Sequence, residues 1–425
     1  MIGYFCLFAL SFFLVKSFYN TCVFIMIWSL VLMNFNVGNN YTVWGLTSYV
    51  ALLVFFHKIR TGDINIREFP FCKTYALLIL SFVLAGFSLK IGSVGSIIAF
   101  FLYPLVSWMA KDKINRYWRF LFINISIFTI IILSIGLYEL YMGFNPVALY
   151  LESQNIMTFR EVSDEYIRFG MYRCRSLMAW CSTYGVACGF TMIAFLYATY
   201  YRRFTIALLS YILCALLLIG VISSGTRSVY TAVCIGLLPL ILNYASKFKY
   251  IMLLLVIIAV VYFNNQELFD EIIDSFIQSD EAGGSSIELR QSQFQAAYNY
   301  FIRHPLFGNG IGAVGQAMQK NAQLLGAESC IYIIMIDRGL FGFLAYGLFN
   351  IQMIWYLYKN RKYRVIMFIP IAILIGKIIS AFIDINEVYP IFWISILVKA
   401  TDDYVFENVG KRIKINLLGL IKIKE

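Results

Sequence analysis

Six arginines lie in segments that the charge pattern of the chain places on the outer side of a membrane. Polytopic proteins keep the Lys and Arg of short loops on the cytoplasmic side, so we expect arginines kept outside to have a partner. The guanidinium presents a planar fork of donors suited to phosphate oxygens. The sequence therefore predicts a membrane protein that holds a phosphorylated ligand at its outer face. The six are Arg168, Arg173, Arg175, Arg227, Arg290 and Arg303.

Arg227 follows the polar turn 223–226, which separates two apolar runs. Backbone N–H groups at the start of a helix attract anions, and an adjacent Arg would complete such a site. The alternative is a short polar hairpin whose Arg only reaches toward the membrane surface. We expect Arg173 and Arg175 at the same depth, just before another outer helix start. Together with Arg290 they predict a pocket for a diphosphate.

A helix is predicted within SSIELRQSQFQAAYNYFIRHP, with a capping box formed by Ser285 and Glu288 and an end at Pro305. One helical face is predicted to pack against the membrane domain because its members recur with helical spacing. Arg303 points roughly away, and we expect it, like Arg168, on the solvated surface. The predicted packing face carries Arg290, Phe294, Ala297 and Phe301.

The segment HPLFGNGIGAVG contains Gly308, Gly310 and Gly312. It matches neither a phosphate-binding P-loop nor a dinucleotide fingerprint. We interpret it as a close-packed turn that re-enters the membrane near the substrate, with backbone able to approach a ligand. Glu328 begins the next helix. It is a candidate general base toward a sugar hydroxyl, or an acidic residue placed there by the helix dipole.

Asp337 and Arg338, further along that helix, are expected to be structural and to pair with each other or with neighbours. Asp384, Asn386 and Glu387 form a short outer turn that we expect to be solvated rather than bound to sugar. The chain has two histidines, one in a predicted cytoplasmic loop and one in an outer turn. A two-His metal site is therefore not expected, and neither is a cofactor.

These residues need a membrane scaffold to position them. The 425 residues are 61% hydrophobic and 13% charged, against roughly 45–50% and about 25% in soluble domains. We predict an all-α polytopic protein with about 12 or 13 runs able to cross ~30 Å of hydrocarbon. The first run has no features of a cleaved signal peptide. The runs lie near 2–15, 19–36, 42–57, 71–89, 92–110, 118–141, 178–200, 204–222, 226–244, 249–263, 329–356, 364–382 and 388–401.

The basic loops give one consistent orientation when they are all placed in the cytoplasm. The net charge of +11 then reflects topology, and no nucleic-acid partner is expected. The basic tail resembles an interfacial helix on anionic lipid or a disordered segment. The predicted divisions are N-terminal membrane helices at 1–141, an outer loop at 142–177, central membrane helices at 178–263, a large and partly helical outer loop at 264–328, C-terminal membrane helices at 329–401 and the cytoplasmic tail at 402–425.

Three motifs resemble those of a known superfamily. RSxxxxxxxYG resembles its outer-loop arginine region, and SGTRS is similar to its S-G-S/T-R motif. The segment from Arg290 through PLFGNGIG to ESCIY and GLFG resembles its long C-terminal block. In this order, over about residues 165–355, they resemble the O-antigen polymerase and O-antigen ligase superfamily of bacterial polysaccharide assembly.

The resemblance implies a GT-C-like, metal-independent glycosyltransferase of the bacterial inner (cytoplasmic) membrane that acts at the outer, periplasmic face. Its substrate would be an undecaprenyl-diphosphate-linked oligosaccharide, and a chain-length regulator is a possible partner. Arg227 and Arg290, with Arg173 or Arg175, would hold the diphosphate, and Arg290 would also stabilise charge during catalysis. The implied activity joins repeat units into O-antigen, capsular or exopolysaccharide.

One departure from the family bears on the choice of activity. Ligases of the family carry His where this chain has Glu328, which favours a polymerase. The alternatives are a ligase that transfers polymer to lipid A core and, in another class, a flippase for lipid-linked oligosaccharides. A flippase needs charges through the membrane depth, whereas here they cluster at one face. A purely structural scaffold leaves the outer arginines without a role.

Overall fold

The protein is an all-α polytopic membrane protein, as its composition predicted. Four helices in the described part of the chain are long and apolar enough to cross a bilayer: Val94–Lys113, Tyr117–Met142, Cys181–Thr199 and Cys330–Lys359. Shorter apolar helices accompany them. The computed structural model describes residues 2–38, 41–86, 91–157, 167–168, 171–200, 207–244, 287–321, 324, 329–380 and 387–404. The predicted run 249–263, the tail from 405 and Glu328 lie outside these ranges.

The N-terminal half is a series of helices interrupted by two short antiparallel hairpins. Local signals set the ends of these helices. The Thr42 hydroxyl accepts the Gly45 N–H at 3.1 Å and caps one helix, and Gly143 ends another with φ of 69°. The elements are α1 Ile2–Lys16, α2 Phe18–Ile27, α3 Ser29–Leu32, β1 Asn36–Gly38, β2 Tyr41–Thr42, α4 Val43–Arg60, a 3-10 turn at Ile66–Glu68, α5 Cys72–Leu84, α6 Ile91–Lys113, α7 Tyr117–Met142, α8 Pro146–Ser153, β3 Ile167–Arg168 and β4 Met171–Tyr172.

The C-terminal half contains a long bent helix and shorter helices that pack on it. Gly339, with φ of 61° and ψ of −156°, breaks the regular backbone of the long helix. The predicted run 329–356 is therefore two helical pieces joined at a kink. The elements are α9 Cys181–Tyr200, α10 Ala207–Ser223, α11 Arg227–Tyr244, α12 Ile287–Phe301, α13 Ala313–Lys320, α14 Cys330–Lys359, a 3-10 segment at Arg361–Met367, α15 Phe368–Ser380 and α16 at 390–404.

Small residues let the helices approach closely. A Cβ atom on Gly185 of α9 would lie 2.5 Å from the Ser224 hydroxyl, and one on Gly189 would lie 2.3 Å from a methyl of Val233. Lipid is as apolar as a hydrophobic side chain, so membrane helices associate through such close packing rather than through burial from water. This packing of α9 against α10 and α11 fixes the turn that carries the candidate site.

Candidate functional site

The polar turn at 223–226 is buried. Ser224 has no exposed surface, and Thr226 is 6% exposed. Gly225 has φ of 59°, a left-handed conformation that favours glycine. The N–H groups of Ser224 and Gly225 donate to carbonyls of the last turn of α10, so this half of the turn closes the preceding helix. In the first turn of α11, which begins at Arg227, the N–H groups of Val229 and Tyr230 donate to the Thr226 carbonyl at 3.0 and 3.2 Å.

Arg173 lies across this turn. Its Nε donates to the Ser224 carbonyl at 3.4 Å, and Nη2 donates to the Thr226 hydroxyl at 3.2 Å. The contact is close, because a Cβ on Gly225 would lie 2.8 Å from Cγ of Arg173. The structure thus brings Arg173 to the residue that precedes Arg227, the first residue of α11. Both side chains are half-buried.

Ser228, the second residue of α11, adds an unsatisfied polar group. It is 4% exposed, and its hydroxyl has no hydrogen-bond partner among the described residues. Buried hydroxyl groups are normally hydrogen-bonded. A ligand oxygen at the start of α11 would be a suitable acceptor.

Arg175 has a different environment from Arg173, although only one residue separates them. It is 2% exposed and is among the largest fully buried side chains. Its backbone N–H donates to Glu139 Oε2 at 3.0 Å, and its charge lies close enough to this carboxylate to interact with it. The structure therefore places Arg175 in the interior, behind the segment that carries Arg173.

Glu139 is a residue that the sequence reasoning missed. It lies in the last turn of α7 with no exposed surface, and Oε2 accepts hydrogen bonds from backbone groups of the segment that follows Arg173. A signal was present, since Glu139 is the single carboxylate of an otherwise apolar run. Ionisable residues inside such runs are costly and often functional.

Cys174 lies between the two arginines, and its thiol is less acidic than an ordinary cysteine thiol. Burial, and secondarily the negative charge of Glu139, raises the pKa of the Cys174 thiol well above its ordinary value. A thiol is nucleophilic as the thiolate. Cys174 is therefore a packing residue of the site rather than a candidate nucleophile.

Arg290 lies in the first turn of α12, which packs on α14. The predicted packing face of this helix is partly wrong. Phe294 is 48% exposed, whereas Gln293, Ala296 and Ala297 are buried. Small side chains allow the backbones of α12 and α14 to approach, which an aromatic ring at the contact would prevent. Position 290 lies three residues before the buried Gln293 in the same helix.

The two arginines expected on the solvated surface are Arg303 and Arg168. Arg303 is exposed, as expected, and its guanidinium lies 4.9 Å from the centroid of the Tyr300 ring. Arg168 lies in β3. The contacts at the 223–226 turn place Arg173 beside the residue that precedes Arg227, and Arg290 remains linked to the two by the sequence motif.

The glycine loop at 308–312 packs tightly against the kink of α14. A Cβ on Gly308 would lie 2.4 Å from backbone atoms of Asp337 and Arg338. The N–H groups of the three glycines all donate within the protein. Gly308 donates to the His304 carbonyl at 2.9 Å, Gly310 to the Asp337 carbonyl at 3.1 Å, and Gly312 to Asp337 Oδ2 at 3.0 Å. The glycines therefore lie close to the backbone of α14, and their N–H groups already donate hydrogen bonds within the protein.

Asp337 and Arg338 are structural and pair with neighbours rather than with each other. The Asp337 carboxylate also accepts the Val314 N–H at 2.8 Å and so occupies the N-terminus of α13. Arg338 is 3% exposed and forms an ion pair with Glu387. The prediction that Glu387 belongs to a solvated turn is wrong, because the buried Arg338 requires a counter-charge. Asp384 and Asn386 lie outside the described residues.

The candidate base Glu328 also falls outside the described part of the chain, so its position relative to the arginines stays a prediction. The described helix begins at Cys330, after Ser329 whose hydroxyl accepts the Ile331 N–H at 3.3 Å. Within the described ranges, no group of three or more His, Cys, Asp or Glu side chains is arranged to hold a metal ion.

Residues 212–347 match a family model described as O-antigen ligase. The matched range begins in α10 and ends in α14, so it includes the 223–226 turn, α12 and the glycine loop. No curated protein matches the chain significantly.

Proposed function

We propose that this chain, a member of the O-antigen ligase and polymerase superfamily through residues 212–347, polymerises undecaprenyl-diphosphate-linked oligosaccharides. The reaction would take place at the outer face of the cytoplasmic membrane and lengthen an O-antigen, capsular or exopolysaccharide chain. The observation that carries the proposal is the position of Arg173 across the turn that leads into Arg227. Two cations at one helix N-terminus suit a diphosphate.

The proposed reaction transfers a glycan from one carrier to another. The bond between the anomeric carbon and the diphosphate oxygen breaks, and the diphosphate leaves with the bonding electrons. Arg173, Arg227 and Arg290 stabilise the charge that develops on it. A hydroxyl of the next lipid-linked repeat unit forms the new bond to the anomeric carbon. Its proton passes to a base, for which Glu328 is the candidate.

The experiment measures elongation by the full-length protein in membranes supplied with lipid-linked repeat units extracted from the producing bacterium. Arg227→Ala and Arg290→Ala should each lower polymer formation by roughly a hundredfold or more, as expected for loss of a donor to the leaving group. Arg303→Ala is the matched control, because Arg303 is an exposed arginine of the same outer region. Wild-type elongation by both site variants would overturn the proposal.

A ligase is the second candidate because the matched family model is described as O-antigen ligase. The glutamate at 328, where ligases of the family carry His, favours polymerisation instead. A deletion strain separates the two activities. Glycolipid with a single repeat unit should accumulate if the chain is a polymerase, whereas unattached polymer of full length would identify a ligase.

A further inference from the structure

The Glu139 carboxylate holds the segment that carries Arg173. One oxygen, Oε2, accepts three hydrogen bonds: from the backbone N–H of Arg175 at 3.0 Å, from that of Ser176 at 2.7 Å and from the Asn145 side-chain amide at 3.0 Å. A buried carboxylate is costly in a membrane helix unless donors satisfy it. The donors here are mainly main-chain groups of a loop, so the carboxylate fixes the path of that loop.

The segment that Glu139 holds, residues 174–176, is sharply bent and hydrogen-bonded to neighbouring elements on both sides. Ser176 has φ of 53°, which is rare for a residue with a side chain. Its hydroxyl donates to the Ile132 carbonyl at 2.7 Å, and its own carbonyl accepts from Asn145 at 2.7 Å. On the other side, the Cys174 N–H donates to the Ser223 carbonyl at 2.9 Å. Residues 174–176 therefore connect the end of α7 to the turn between α10 and α11.

Arg173 immediately precedes this tied segment, so the direction in which it leaves the backbone depends on the segment. A long arginine side chain loses rotamer freedom when it binds a ligand, and a fixed backbone reduces that cost. We infer that Glu139 is a positioning residue for the diphosphate site, acting by holding residues 174–176 so that Arg173 lies across the 223–226 turn. This inference rests on the proposed function, because the ligand role of Arg173 is part of it.

The experiment is a double-variant cycle on the full-length protein in nanodiscs, with undecaprenyl diphosphate as the probe and Kd as the measurement. Arg173→Ala should raise Kd by roughly tenfold, the effect of losing a hydrogen bond to a charged group. Glu139→Ala should raise Kd by a similar factor. The double variant should bind within about twofold of Arg173→Ala alone, because residues that act through one contact are not additive. A merely structural role would lower the amount of folded protein and leave Kd unchanged.

Conservative variants guard against a folding failure of Glu139→Ala. Glu139→Gln keeps an oxygen for all three donors, but it removes the charge that interacts with Arg175 and puts an NH2 group at the position of Oε1, which has no hydrogen-bond partner among the described residues, so its folded yield is measured beside its Kd. This variant should bind within about threefold of the wild type, whereas Glu139→Asp is one methylene too short and should bind like Glu139→Ala. Glu152→Ala, at a half-buried position of α8, is the control and should bind normally.

Two sets of results separate the inference from the proposed function. If Arg173→Ala and Arg227→Ala bind the probe as the wild type does, the proposed diphosphate site is wrong. If both lose affinity while Glu139→Ala and Glu139→Asp keep the wild-type Kd, the site stands and the inference is overturned. Equal losses in Glu139→Gln and Glu139→Ala, or additive losses in the double variant, also overturn it.

Discussion

Arg173 and Arg175 have different environments although only one residue separates them. The side chain of Arg173 crosses a turn at a helix start, and it is half-buried. The side chain of Arg175 is 2% exposed and lies near the Glu139 carboxylate. The residue types and their spacing predicted that both arginines lie near the site. The residue types and spacing did not predict which of the two arginines is buried, because a loop without a repeating geometry does not fix which side chain points inward.

Glu139 was missed for a related reason. Lys and Arg report the orientation of a membrane protein, whereas Asp and Glu contribute little to it. A single Glu near the end of an apolar run looks like the boundary of a span. Its role depends on backbone groups at positions 175 and 176, more than thirty residues away in the chain, and no local pattern reports such a contact.

The Arg338–Glu387 ion pair gives a prediction about stability. Arg338 is 3% exposed and the Glu387 side chain is 15% exposed, and the guanidinium also lies 4.2 Å from the centroid of the Phe82 ring. Glu387→Ala leaves a buried cation without its counter-charge, which costs about 3–5 kcal/mol. We therefore expect a clearly lower melting temperature, measured by fluorescence-detected size-exclusion chromatography after heating.

The control for this prediction is an exposed ion pair of the same chain. Lys58 and Asp63 lie 3.1 Å apart, with the Asp63 side chain 58% exposed. Asp63→Ala should change stability by no more than about 1 kcal/mol, because water and salt screen such pairs. Equal melting temperatures for Glu387→Ala and the wild type would contradict the assignment of the buried pair.

At the scale of elements, the glycine loop and the kink of α14 form one interlocked unit. The Pro305 carbonyl accepts the Leu340 N–H at 2.8 Å, and the Leu306 carbonyl accepts the Phe341 N–H at 3.0 Å. These bonds satisfy donors that the break at Gly339 releases from the helix. The sequence predicted a close-packed glycine turn. It could not identify the packing partner as the next helix, because a kink without proline has no strong local signature.

A glycine pair in this region provides a matched test. Gly308→Ala places a Cβ 2.4 Å from backbone atoms of α14, at a φ of 78°. The strain and the contact should destabilise the protein by roughly 2 kcal/mol or more and lower polymer formation. Gly315→Ala meets nothing within 4 Å in α13, and it should be neutral or stabilise by up to about 1 kcal/mol. Thermal melting and the elongation assay check both variants, and equal behaviour of the two would contradict the interlocked unit.

The face of α12 shows a limit of hydrophobic patterns in membrane proteins. Phe294 and Phe301 recur at helical spacing, which in water would predict a buried stripe. In this protein Phe294 is exposed and the alanines are buried. The alanines of α12 pack against Ile336 of α14, so the spacing of the aromatic residues does not identify the contact side. Small size is the better indicator of a close helix contact here.

At the scale of the whole molecule, the large exposed side chains are those expected beside lipid. Phe5 and Phe8 of α1 are each 73% exposed, and Leu53 and Phe56 of α4 are 72% and 58% exposed. Composition alone predicted this class correctly, because few soluble proteins contain so many apolar and so few charged residues. The number of spans, about 12 or 13 from hydropathy, stays a prediction.

The predicted cytoplasmic segments meet at one end of the protein. Lys399 lies 3.5 Å from Asp112 and 3.0 Å from Asp403. Asp402 accepts hydrogen bonds from Lys362 at 2.6 Å and from Tyr363 at 2.7 Å. The end of α6, the segment after α14 and the end of α16 are therefore neighbours, and the segments that follow α6 and α14 are rich in basic residues. The positive-inside rule predicts that this end faces the cytoplasm.

The candidate site lies at the end of the protein opposite the basic loops. The side of the membrane that this end faces can be tested directly. We expect an epitope inserted after Gly62, in the exposed turn that follows α4, to bind antibody only in permeabilised cells. An epitope inserted after Asn155, an exposed residue that follows α8, should bind antibody in spheroplasts whose cytoplasmic membrane is intact. The reason is that α8 adjoins Glu139 and Asn145, which hold the Arg173 segment, so both belong to the end opposite the basic loops. A reversed pattern would place the arginines in the cytoplasm, where the positive-inside rule accounts for them without any ligand.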